Sequence, residues 1–217
     1  MTDKYSYQRR QMVQLIERKG VVDRRILEAM ESIPRHEFVP EHVRTRAYGD
    51  HALPIGLSQT ISQPYIVARM TELLDVKPEH SVLEVGSGSG YQTAILARLA
   101  RRVYSLERVA ELAHRAIQRM RALGLDNVKI QTFDGTVGWS DVAPFDRIMV
   151  TAGSPKVPPP LLEQLRVGGR LLIPEGDRTE QILVVYRKLR QGARRTVHEP
   201  VTFVPLIGRH GWQGSKE

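Results

Sequence analysis

The chain of 217 residues contains no cysteine. That absence excludes a disulfide framework, a thiolate metal site and a cysteine nucleophile. No apolar run approaches the roughly 20 residues that a membrane helix needs. The first residues, MTDKYSYQRRQ, lack the apolar stretch of a secretory signal. A cytoplasmic address without membrane attachment is the expectation. His36, His42 and His51 are irregularly spaced, so no metal site is expected. Aromatic residues make up only 6% of the chain and are not interleaved with its basic residues, as they are in single-strand nucleic-acid binders. Internal repeats and low-complexity segments are lacking too.

What is present is ordinary for a globular protein, with 41% hydrophobic and 26% charged residues. The net charge of +8 is mostly arginine, clustered at Arg9-Arg10, Arg24-Arg25, Arg101-Arg102 and from Arg187 to Arg195. Such a surface can track nucleic-acid phosphates, attract a substrate that reacts through a carboxylate, or simply be solvated. Charge alone does not decide among these.

Met12, Leu15 and Ile16, then Ile26, Leu27 and Met30, recur at helical spacing and predict two amphipathic helices parted by Gly20, the second ending at Ile33-Pro34. From His36 to Gln63 little periodicity is visible, and Pro40, Gly49, Pro54 and Gly56 mark an irregular connector. Pro64 opens a further helix, with Ser62 or Gln63 as its cap. Beyond it, short apolar strands at Ser81–Val85, Val103–Leu106, Val128–Thr132, Arg147–Val150 and Arg170–Ile173 alternate with helices near Tyr91–Leu99, Ala110–Leu123 and Pro159–Leu165. This alternation predicts βαβ units and a parallel sheet. About 150 residues cannot supply the eight units of a closed barrel, so an open, doubly wound α/β sheet follows. A hairpin-like pair, Gln181–Leu189 and Thr196–Val204, predicts an antiparallel C-terminal edge. The expected organisation is one domain, with residues 1–63 forming a helical lobe and connector and residues 64–217 the Rossmann-like core.

In open α/β sheets the ligand lies at the carboxyl ends of the strands, closest to the first βα loop. Here that loop reads Glu84-Val85-Gly86-Ser87-Gly88-Ser89-Gly90. Glycines at alternate positions let the backbone turn sharply and approach a ligand. The dinucleotide fingerprint would want its third glycine where Tyr91 stands. Glu107 and Asp134-Gly135 follow the next two strands. Each acid has an ordinary alternative: Glu84 capping helix amides, Glu107 pairing with Arg108, and Asp134-Gly135 forming a plain turn. Three acids at successive strand ends favour a nucleoside ligand.

The E-x-G-x-G-x-G segment resembles motif I of the class I S-adenosylmethionine-dependent methyltransferases. The resemblance implies S-adenosylmethionine as cofactor and S-adenosylhomocysteine as product. Glu84 and the loop Gly86, Ser87, Gly88, Ser89 and Gly90 would lie at the cofactor's amino-acid end, Glu107 at the ribose hydroxyls, and Asp134 with Gly135 at the adenine. Methyl transfer from a sulfonium is a direct displacement, so holding the acceptor in line supplies most of the catalysis. Nucleic-acid amine methylases usually carry Asn or Asp-Pro-Pro-Tyr after the fourth strand. This chain reads Thr151-Ala152-Gly153-Ser154 there, and the missing cysteine excludes covalent cytosine C5 methylation.

The connector and helix from Ala52 to Leu74, ALPIGLSQTISQPYIVARMTELL, are similar to the region that distinguishes protein-L-isoaspartate O-methyltransferases. Pro34 to Val39, Gly135 to Trp139, Ala143 to Asp146, Val167 to Leu171 and Phe203 to Leu206 agree, so the resemblance covers nearly the whole chain. It implies methylation of the free carboxylate of L-isoaspartyl residues, and less well D-aspartyl residues, in damaged proteins. The ester collapses to a succinimide whose hydrolysis returns some normal aspartate. An acceptor carboxylate of pKa about 4 is already ionised and needs no general base. The resemblance places Ser62 as the active-site residue, with Thr60 and Gln63 as further substrate-orienting candidates. Isoaspartyl proteins and peptides are the expected partners of a monomer that binds neither nucleic acid nor membrane. The alternative is a methylase acting on RNA or a small metabolite, favoured only by the basic charge. Two departures concern the peptide side. Leu57-Ser58 stands where many relatives have Gly or Phe followed by Gly or Gln, and Ile207 replaces a hydroxyl residue of some relatives.

Overall fold

A computed structural model describes residues 4–213 of the chain. Helices α1 (Ser6–Arg18) and α2 (Arg24–Ser32) bury Met12, Val13 and Ile16, and Ile26, Leu27 and Met30, on facing stripes. The Asp23 side chain caps α2 by accepting from the Arg25 amide. Ile33 is extended, as a residue before proline must be, and the helix stops there.

The connector is more ordered than its lack of periodicity predicts. It forms two 3-10 turns, Arg35–Phe38 and Glu41–Arg46, and a hairpin of β1 (Leu53–Gly56) and β2 (Gln59–Ile61). Leu57 and Ser58 form the two-residue tip, both with positive φ (54° and 55°). That is the backbone of a type I′ turn, which favours glycine or asparagine and costs a residue with a Cβ about 1–2 kcal/mol. The departure at Leu57-Ser58 is therefore a strained turn.

Helix α3 (Pro64–Leu74) leads into the sheet. Its strands are β3 (Ser81–Val85), β4 (Arg102–Glu107), β5 (Val128–Thr132), β6 (Phe145–Val150), β7 (Leu165–Gly176), β8 (Gln181–Lys188) and β9 (Ala193–Val201), in the order β5-β4-β3-β6-β7-β8-β9. The pairings from β5 to β7 are parallel and those of β7, β8 and β9 antiparallel. Helices α4 (Tyr91–Leu99), α5 (Ala110–Ala122) and α6 (Pro159–Glu163) supply the crossovers. Because the sheet is covered on both faces, central strands bury successive residues on opposite sides. Val82, Val103, Met149 and Leu172 join the cluster that holds α1 to α4, whereas Leu83, Tyr104, Ile148 and Leu171 join Trp139 and Leu161. The strand order reverses beside β3, which places the first βα loop at the ligand-binding crevice of the doubly wound sheet.

Boundaries differ from the predicted ones where glycine hides a strand. β7 begins at Leu165, because a bulge spanning Gly168-Gly169 keeps Phe145 paired with Leu165 before Arg147 meets Arg170. The final hairpin turns at Gly192 (φ 72°), so β9 starts at Ala193 and ends at Val201. Pro200 is tolerated in it because β9 is the outer strand. Residues 202–213 fold back over the strand ends, with Gly153 bridging Pro205. No described helix is long and apolar enough to cross a membrane.

Candidate active site

The loop after β3 carries three glycines in left-handed backbone: Gly86 (φ 101°), Gly88 (51°) and Gly90 (86°). A Cβ at Gly86 would collide with the Thr151 hydroxyl. One at Gly88 would make only an ordinary contact with Ile55, at 3.9 Å, so the left-handed backbone and not crowding favours glycine there. Gly88 lines a cleft at the carboxyl ends of the strands. The cleft is walled by the glycine loop, Glu107, Gly135, Thr151, the Gln59–Ser62 segment and the returning chain from Phe203 to Ile207.

Glu107 ends β4 with its carboxylate held edge-on. Oε2 accepts from the Gly88 amide at 2.8 Å and Oε1 from the Val109 amide at 2.9 Å. It does not use Arg108 as a partner, and each oxygen keeps a lone pair for a further donor. A vicinal diol fits this acceptor pair, and a nucleoside fits the glycine-floored cleft beside it. Ser87 Oγ lies 2.9 Å from Ser105 Oγ, and Ser89 Oγ accepts the Tyr91 amide at 3.2 Å, so both loop serines brace the turn into α4.

Glu84 lies behind the loop and not on the cleft wall. It is wholly buried, and its Oε2 accepts from Thr93 Oγ1 at 2.6 Å and Ser105 Oγ at 2.5 Å. Oε1 is buried without a partner. Burial raises the pKa from 4.5 to about 7, with the two hydroxyls opposing and the Glu107 charge adding to the rise. Helix-amide capping is not what Glu84 does. A carboxyl whose folded pKa exceeds its unfolded one imposes no penalty below about pH 4.5. The penalty grows between 4.5 and 7 and is complete above. Glu84→Gln is therefore expected to gain roughly 2 kcal/mol relative to wild type between pH 5 and pH 8. Urea unfolding of both ligand-free proteins at the two pH values measures it, and a pH-independent difference refutes it.

Asp134 behaves as the turn residue that its Asp-Gly pair suggests. Its Oδ1 accepts from the Thr136 amide and hydroxyl at 2.9 and 2.7 Å, and Oδ2 from the Arg209 amide at 2.8 Å. Partial burial would raise its pKa, but the Arg209 and Thr136 donors outweigh this and hold it below the usual carboxylate range. Gly135 lines the cleft while Asp134 sits behind it, tied to the C-terminal return.

A second cleft opens on the other side of the connector. Its walls include Ala52, Gln63, Ile66, Glu175, Asp177 and Glu180. Thr60, Ser62, Thr151, Phe203 and Val204 line both clefts, so the two spaces meet across them. Ser62 is half-buried at this junction, and its side chain does not cap α3. Asp50 does that instead, accepting from the Tyr65 amide at 3.0 Å, from Gln63 Nε2 at 2.8 Å and from Lys19. Gln63 is thus committed to Asp50 and reaches only the second cleft, whereas Thr60 is exposed to both. Asp50 and Thr151 were not legible as site residues. Asp50 lies in the aperiodic connector, and Thr151 acts through Gly86, whose carbonyl it bonds at 2.6 Å.

Comparison with known proteins bears directly on this arrangement. A family model described as Protein-L-isoaspartate(D-aspartate) O-methyltransferase (PCMT) matches residues 7–211. The chain is 53% identical to Protein-L-isoaspartate O-methyltransferase 1 of Syntrophobacter fumaroxidans, over 93% of this chain and 94% of that one. It is 51% identical to the Protein-L-isoaspartate O-methyltransferase of Syntrophus aciditrophicus, over 99% and 100%. A Plasmodium falciparum protein solved in complex with S-adenosyl-L-homocysteine superposes with a TM-score of 0.79 at 27% identity, over 92% of this chain and 98% of that one. The chain belongs to the protein-L-isoaspartate (D-aspartate) O-methyltransferase family.

Proposed function

We propose that the protein transfers the methyl group of S-adenosylmethionine to the free carboxylate of L-isoaspartyl residues in damaged proteins and peptides, as the first step of their repair. The observation that carries this reading is the pair of clefts meeting at Thr60, Ser62, Thr151, Phe203 and Val204. A direct displacement needs donor and acceptor to approach from opposite sides of the transferred carbon. Two spaces sharing one thin wall provide that approach.

In this reading Glu107 accepts both ribose hydroxyls, and the bare backbone from Gly86 to Gly90 lets the cofactor's amino-acid end lie close. Glu84 supports that end from behind the loop. Gly135 walls the adenine end, and Asp134 secures the C-terminal return that closes it. S-adenosylmethionine supplies an electrophilic methyl group. Ser62 orients the acceptor carboxylate by its hydroxyl or amide, with Thr60 at the junction and Gln63 lining the peptide side. The acceptor is an anion at neutral pH, so the chain moves no proton and its task is alignment.

Asp177 and Glu180 along the second cleft oppose a polyanion lying the length of it more than a peptide bringing one carboxylate to the Ser62 junction, which favours the peptide over RNA. Damaged proteins are the partners of this reading, and a cytoplasmic monomer suffices for it. The test is labelled S-adenosylmethionine incubated with an isoaspartyl peptide, its aspartyl twin and RNA. Base-labile methyl groups on the isoaspartyl peptide alone are the expected result. Label on RNA, or cofactor binding without transfer to any acceptor, would sink the proposal.

A further inference from the structure

Arg35, in the turn between α2 and the connector hairpin, is wholly excluded from solvent. Its donors serve backbone carbonyls and no carboxylate: Nε donates to Ala47 O at 2.8 Å and Nη2 to Ser62 O at 2.7 Å. The guanidinium lies over the Tyr91 ring, with Cζ 4.8 Å from the centroid. Burial pushes its pKa down to about 10, with Tyr91, Tyr48 and Asp50 opposing, so the group is a cation at neutral pH.

Burying a guanidinium without a counter-ion costs several kcal/mol, and an apolar side chain of similar size would fill the space with less penalty. Stability therefore does not account for an arginine here. Its two principal contacts do. Ser62 carries the proposed acceptor role, and Tyr91 is the first residue of α4, directly after the glycine loop. Phe38 of the same turn packs edge-on against Tyr91 at 5.3 Å. From the far side Arg119 donates to Glu37 O and to Ser89 O, both at 3.0 Å, tying this turn to the loop again.

We propose that Arg35 is a positioning residue for methyl transfer, holding the Ser62 peptide at a set distance from the donor loop by gripping the one and stacking on the start of the helix that follows the other. The inference rests on the acceptor role of Ser62 proposed above. Arg35→Gln and Arg35→Lys test it, beside Met30→Ala, which empties a buried site in α2 and serves as a control of lowered stability. Turnover on an isoaspartyl peptide, S-adenosylhomocysteine affinity and urea midpoints are measured for each.

Arg35→Gln is expected to lower kcat about 10²-fold, the loss that small misalignment brings, with product affinity within about threefold of wild type. Arg35→Lys should recover part of the loss. In a Ser62→Ala background the further loss from Arg35→Gln should shrink to about threefold or less, because one change removes the Ser62 hydroxyl and the other only misplaces the peptide that carries it. A kcat no lower than that of an equally destabilised Met30→Ala protein overturns the proposal. So does a fall in product affinity that matches the fall in kcat, or full multiplication of the losses in the double variant. Should Arg35→Gln fail to fold, unchanged kcat in Arg35→Lys overturns the proposal and a selective kcat loss sustains it. A wild-type protein inactive on isoaspartyl peptide instead refutes the acceptor reading on which the inference stands.

Discussion

Glu107→Ala is expected to weaken S-adenosylhomocysteine binding by about 10²–10⁴-fold, the largest effect of any single substitution in the cleft. Two charge-assisted hydrogen bonds to the ribose diol, each worth about 1.5–3 kcal/mol, are lost together. The variant also leaves the Gly88 and Val109 amides without their acceptors, which loosens the loop that must lie against the ligand. Stability should fall by about 1–3 kcal/mol in all, because the two amides are only partly buried and water from the cleft can reach them. Calorimetric titration of product into the variant, with unfolding measured in parallel, separates the two effects. A dissociation constant within threefold of wild type would remove Glu107 from the cofactor site.

Ser62→Ala should do the opposite. Product affinity is expected to stay within about twofold, while kcat on an isoaspartyl peptide falls about 10²-fold through loss of alignment. Stability should change by no more than about 0.5 kcal/mol, because Asp50 and not Ser62 satisfies the start of α3. This separates an acceptor-site residue from a helix cap, whose loss would cost about 1 kcal/mol and leave chemistry intact. Equal loss of affinity and turnover would assign Ser62 to the cofactor or the fold.

Taken together, the two variants test the proposed division of the site, in which Glu107 and the glycine loop form a donor half and Ser62 an acceptor half. Arg35 touches both through Ser62 O and the Tyr91 ring. The N-terminal helices share one core with the central strands, which fixes the turn that carries Arg35 relative to the glycine loop. Met12, Met30 and Phe38 lie in the same buried cluster as Val82 and Tyr91.

Much of this was readable along the chain. The glycine loop and the acids after successive strands are local features, since the turn from β3 into α4 requires left-handed backbone at Gly86, Gly88 and Gly90. Strand and helix alternation is equally local, because side-chain period follows from backbone geometry within a few residues. The largest boundary shifts fall where Gly168-Gly169 and Gly192 replace pattern with turn geometry, while α6 ends two residues early at Glu163 and β6 begins two residues early at Phe145. The same short-range preferences suggested Ser62 as a helix cap, and they could not have done otherwise.

The doubly wound sheet and the glycine loop are written in the residue pattern, and the acceptor in the resemblance. That Asp50 caps α3 and leaves Ser62 free of that task, that Glu84 lies behind the loop, and that Asp134 binds the C-terminal return emerge only on folding. So does the buried Arg35 that donates to Ser62 O and stacks on Tyr91. These are contacts between segments far apart in the chain. Burial and closure of the whole core select such contacts, and no local preference encodes them.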